Sequence, residues 1–75
     1  MTKYACEKHW IKDDGPHYVR LIVYEIAQDG VTYVSDITHH DTETLADELL
    51  ESWWDIKNPP KIGERMEFIS DGPKS

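Results

Sequence analysis

The chain has 75 residues, of which 39% are hydrophobic, and it carries three Trp, four Tyr, one Cys and a formal net charge of −7. This describes one small domain, too aromatic for a disordered acidic tail and too small to spend core residues readily on a walled catalytic pocket. A lone Cys excludes an intrachain disulfide framework, and no apolar run approaches the roughly 18 residues needed to span a bilayer, so the sequence predicts a soluble protein of a reducing cytoplasm.

The charge is not spread evenly. From Leu21 to Ile56 the chain has nine carboxylates and no Lys or Arg, while residues 1–20 and 57–75 each carry four bases and three acids. The excess negative charge therefore belongs to the middle of the chain. Such a field attracts basic surfaces and repels phosphate.

In chain order, residues 3–12 and 17–28 read as strands, separated by the turn cluster Asp13-Asp14-Gly15-Pro16. Pairing Lys12 with His17 would set Trp10 opposite Val19. Asp29-Gly30 then reads as a two-residue hairpin loop leading into a strand over 31–38. That loop would put Gln28 opposite Val31, Ile26 opposite Tyr33, Tyr24 opposite Ser35 and Ile22 opposite Ile37. It collects Ile22, Tyr24, Ile26, Val31, Tyr33 and Ile37 on one face, the expected core face. The other face would carry Cys6, Trp10, Val19, Leu21, Val23 and Val34. This is more apolar than a small monomer should expose. Trp10, Val19, Leu21, Val23 and Val34 are therefore a candidate homodimer face.

Residues 42–57 read as a helix, capped by Asp41 or Thr42 with Glu43 in its first turn and stopped by Asn58-Pro59-Pro60. On a helical wheel Leu45, Ala46, Leu49, Trp53 and Ile56 form the expected core stripe. Residues 64–70 read as a last strand with Met66 and Phe68 on one face, and 71–75 as a fraying tail. The expected fold is α+β: a single domain over 1–70, with a curled antiparallel sheet in the order β-β-β-α-β and one helix packed on one face.

The same wheel sets Trp54 on the acidic side of the helix, partly exposed. Glu43, Asp47, Leu50, Glu51, Trp54 and Asp55 are thus the candidate partner-binding residues. An indole ringed by carboxylates offers a contact anchor, a cation–π face and a steering field for a basic protein. The plainer reading is a solvated helix face with Trp54 against a loop.

Other chemistry is weaker. His39-His40-Asp41 is the one cluster resembling a metal site, but adjacent strand residues point to opposite sides and the spacing matches no zinc pattern. His39 is expected opposite Arg20. Cys6 lacks an electropositive setting, since Glu7 raises a thiol pKa and Lys8 only partly offsets it. There is no Gly-rich phosphate loop. No catalytic residue, metal or cofactor is assigned, and the chain is read as a non-enzyme.

Three strands followed by a helix resemble the layout of integrase-arm and plant AP2-type DNA-binding domains. Those read DNA with a basic sheet face, whereas strand three here has no Lys or Arg. In size, charge and lack of a catalytic signature the chain is similar to phage-encoded inhibitors of host defence, of anti-CRISPR and anti-restriction type. That resemblance implies a DNA-mimicking decoy acting in the host-cell cytoplasm. It would occupy a basic, nucleic-acid-binding surface of a larger protein, its carboxylates standing in for phosphates. The alternatives are an adaptor or antitoxin-like module that does not compete with nucleic acid, and a small metal protein or enzyme.

Overall fold

The computed structural model describes residues 1–12 and 14–74; Asp13, expected in the first turn, and Ser75, expected in the tail, lie outside the described residues. The elements are β1 (Thr2–Ile11), β2 (Tyr18–Ile26), β3 (Thr32–His40), α1 (Glu43–Trp54) and β4 (Arg65–Ser70). The expected β-β-β-α-β order holds, and the fold is α+β. All pairings are antiparallel and the sheet order is β3-β2-β1-β4.

The β1–β2 register matches expectation, with Trp10 opposite Val19. The β2–β3 loop does not. The Gly30 N–H donates to the Ala27 carbonyl and the Ala27 N–H to the Val31 carbonyl, both at 2.9 Å, and Gly30 has φ +84°. This is a three-residue loop, a β-turn closed by a left-handed glycine, rather than a two-residue one. Ile26 therefore faces Thr32 and Tyr24 faces Val34. An irregularity between Val23 and Tyr24 absorbs one residue of β3, and Ile22 meets Ile37 as expected. We expect Gly30→Ala to lower the unfolding free energy by about 1 kcal/mol, read from the urea midpoint, because the added Cβ is strained at positive φ even though it meets open space.

The core face is the opposite of the one expected. Tyr4, Cys6, Val19, Leu21 and Val23 are buried with Ala46, Leu50, Trp54 and Ile56, and Met66 and Phe68 pack against them. Ile37, Val34 and Ile69 are more than half exposed on the face turned away from the helix. The β2–β3 hairpin is apolar on both sides, so it does not choose a face. The inner strand β1 does. Its residues paired with the open side include Lys3, Glu7 and His9, while Tyr4 and Cys6 face the other way. Burying the first set would strand three polar or charged groups, whereas the second carries one, Lys8, so the sheet turns the second set inward.

The helix is rotated relative to expectation for the same reason. Its buried residues are Ala46, Leu50 and Trp54, whereas Leu45 and Trp53 are 44% and 46% exposed. Thr42 caps it, accepting the Leu45 N–H at 3.2 Å. It ends earlier than predicted. Asp55 turns left-handed (φ 58°, ψ 34°), and the Ile56 N–H returns to the Leu50 carbonyl at 3.1 Å, folding Ile56 into the core. After β4, the Lys74 N–H donates to the Trp53 carbonyl at 2.7 Å.

Candidate functional site

The rotation of α1 is set by one residue of β1. Lys8 lies in the inward-facing set with Tyr4 and Cys6 and is 1% exposed. Its Nζ donates to Glu43 Oε2 at 2.7 Å and to Asp47 Oδ1 at 2.6 Å. Glu43 and Asp47 stand four apart on the helix, so both carboxylates reach one ammonium from the same face. Burial by itself would lower the Lys8 pKa, but the hydrogen bonds to Asp47 and Glu43 outweigh it and hold the ammonium above its usual range. The Lys8 hydrogen bond in turn holds Glu43 below the ordinary carboxylate value, against the opposing pull of its partial desolvation. The bond is a structural clasp between sheet and helix.

This divides the six candidate partner-binding residues. Glu43 and Asp47 are spent on Lys8. Leu50 is fully buried. Trp54, expected to be partly exposed, is 3% exposed and meets Tyr4 edge-on at a centroid distance of 4.9 Å and Phe68 at 5.7 Å. Its Nε1 is buried without a partner. Trp54 is a core residue, because turning the acids toward Lys8 turns the adjacent indole inward as well. Only Glu51 and Asp55 stay on the outer surface, Asp55 with Lys74 at 3.8 Å.

The exposed indole is Trp53. With Leu45 and the half-buried Leu49 it forms an i, i+4, i+8 ridge along one flank of α1. Glu48, Glu51 and Asp55 are all exposed, Glu48 next to Leu45 and Glu51 one turn on from Asp47. An apolar ridge thus exists on the flank away from the Lys8 clasp, with the free carboxylates on the solvent side between the two. Sequence reasoning places Trp53 and Leu45 in the core and gives Lys8 no part in joining sheet to helix. The detectable signal was the alternation Tyr4-Cys6-Lys8-Trp10, which sends a lysine inward and so demands acids from whatever covers it.

The candidate dimer face is dismantled. Val19, Leu21 and Val23 lie beneath the helix. Trp10 (47% exposed) shares their side through its pairing with Val19, while the β3 irregularity sends Val34 (66% exposed) to the opposite face with Tyr24. These five residues do not form one surface.

Cys6 is fully buried, and desolvation pushes its thiol up to about 11, with Lys8 lowering it and Glu7 raising it. His39 pairs with Arg20 and His40 with Val19, so the adjacent imidazoles occupy opposite faces; the His40 Nε2 lies 2.7 Å from Thr38 Oγ1. Among the described residues no group of three or more His, Cys, Asp or Glu converges as metal ligands. Among the described residues no helix is long and apolar enough to cross a membrane. No family, no curated protein and no solved structure matches the chain.

Proposed function

We propose that this chain is a small acidic, non-enzymatic binding module that recognises a cationic surface of another protein through the outer flank of α1. Trp53 and Leu45 are its apolar anchor, and Glu48, Glu51 and Asp55 its charged margin. The observation that carries this reading is the pair of large apolar side chains left 46% and 44% exposed on a helix whose other face is fully packed. Trp is a frequent hot-spot residue, and a surrounding field of one sign speeds encounter with the opposite sign. A formal net charge of −7 supplies that field.

The adaptor form of this reading is favoured over the decoy form. A phosphate mimic needs a dense run of free carboxylates, and two of the helix acids share the Lys8 ammonium. The decoy reading keeps one support, the outward grouping of Glu48, Glu51 and Asp55.

Capture from a cell lysate with two sets of variants separates the two forms. One set is Trp53→Ala with Leu45→Ala; the other is Glu48→Lys, Glu51→Lys and Asp55→Lys. An adaptor loses its partner in the first set and keeps much of its binding at about 0.5 M salt, where the screening length falls to a few ångströms. A decoy loses it in the second set and at high salt, and its partner is released by competing nucleic acid. Undiminished capture by both sets would remove this flank from consideration.

A further inference from the structure

Away from the helix, the open sheet face carries a transverse row of three nitrogenous side chains. Arg20 on β2 is directly opposite His9 on β1 and His39 on β3. Cross-strand partners share a face, and neighbouring strands lie about 4.8 Å apart, so two imidazoles flank one guanidinium. Arg20 is the only Lys or Arg in β2 or β3. It is half-buried, its Nε is buried without a hydrogen-bond partner, and one terminal nitrogen reaches Tyr18 Oη at 3.5 Å. The Tyr18 ring lies 4.8 Å from that of His39 and walls one end of the row.

The lysine and the second arginine of this face have a carboxylate partner. Lys3 and Arg65 share Glu67 at 2.7 and 2.6 Å, and His9 Nε2 lies 3.3 Å from Glu7 Oε1. Among the described residues Arg20 meets no carboxylate. A guanidinium held part way out of water, with an orphaned N–H and no counter-anion, is costly unless an anion completes it. The planar fork of Arg suits an oxyanion, and imidazole N–H groups on both sides add donors.

We infer that the His9–Arg20–His39 row is a binding site for a phosphate-type oxyanion. The site is independent of the helix flank proposed above. Its affinity is moderated by Glu7, which faces His9 from the same strand and also accepts the Tyr24 hydroxyl at 2.7 Å. The groups facing the two imidazoles are therefore Glu7, Arg20 and Tyr18, with Arg65 opposite Glu7 across β1–β4.

The test is NMR of the histidine ring signals at pH 6, titrating the whole chain with inorganic phosphate against sodium chloride of equal ionic strength. The His9 and His39 signals should shift together and saturate within about 10 mM phosphate, the range of a millimolar site. Arg20→Gln should weaken binding at least about tenfold, the scale of a lost charge-assisted pair. Glu7→Gln should tighten it about threefold by removing one like charge several ångströms away. Should Arg20→Gln lose its dispersed spectrum, Arg20→Lys, which keeps the charge and removes the fork, should give a smaller but measurable loss. A simple phosphate monoester distinguishes the sources: tighter saturation identifies an organic phosphate, equal saturation the free ion. Shifts that never saturate, that sodium chloride reproduces, or that survive Arg20→Gln unchanged would overturn the inference.

Discussion

Replacing Glu43 by Gln and Asp47 by Asn together should destabilise the fold by about 3–5 kcal/mol, the cost of leaving a buried charge unpaired. Replacing Lys8 by Met should cost far less, within about 1 kcal/mol, because a chain of similar length fills the same space and the two acids can rehydrate. The asymmetry follows from exposure: the Lys8 side chain is 1% exposed, whereas those of Glu43 and Asp47 are 43% and 35% exposed. A chain of this size has roughly 4–11 kcal/mol of stability in all, so the double amide variant should be close to unfolded at room temperature. Urea midpoints of the two variants decide the matter, and an inverted order would mean that the clasp is not buried as described.

The same clasp sets a pH window. Glu43 has its pKa lowered from 4.5 by the Lys8 hydrogen bond, so its contribution is present above 4.5 and is lost as pH falls through the lower folded value. Lys8 has its pKa raised from 10.5, so its contribution is complete below 10.5 and is lost as pH rises through the higher folded value. The pair therefore contributes steadily between about pH 5 and 10. In Lys8→Met that dependence should disappear, and the acid limb of the urea-midpoint profile should flatten.

The legible part of the fold was what local chemistry decides alone. Thr42 as a cap and the element order each rest on a few neighbouring residues, and each strand and the helix lie within a few positions of expectation, whereas the expected proline stop is pre-empted by the left-handed Asp55. The face choices were not local. The Asp29-Gly30 pair fits a two-residue and a three-residue loop equally, and the added residue shifts Val34 from one face to the other. The helical wheel failed where hydrophobicity and charge disagreed. It counted Glu43 and Asp47 as outward because they are acids, while Lys8, some 35 residues earlier in the chain, turns them inward. An inward-facing lysine is the kind of residue for which sequence periodicity must be read across elements rather than within one.

The two adjacent tryptophans of α1 give the sharpest check on that rotation, because the wheel and the structure assign them opposite places. Trp54→Ala should cost about 3–5 kcal/mol, the range for removing a large buried aromatic. The indole is 3% exposed and sits edge-on to Tyr4 at 4.9 Å and Phe68 at 5.7 Å, while Tyr4 and Phe68 stack at 5.7 Å, so its removal opens a void beneath a three-ring cluster. Its unpaired Nε1 offsets a little of that packing, since a buried donor without an acceptor is itself unfavourable. Trp53→Ala, at a position 46% exposed, should cost under about 1 kcal/mol and leave the unfolding cooperative. Denaturation curves followed by circular dichroism compare the two without depending on the removed fluorophore. If Trp53→Ala unfolded the chain and Trp54→Ala did not, the helix would sit as the wheel drew it, the clasp to Lys8 would be broken, and the binding flank built on Trp53 would lose its basis. A stable Trp53→Ala protein is also the variant that the capture experiment needs, since it separates loss of a partner from loss of the fold.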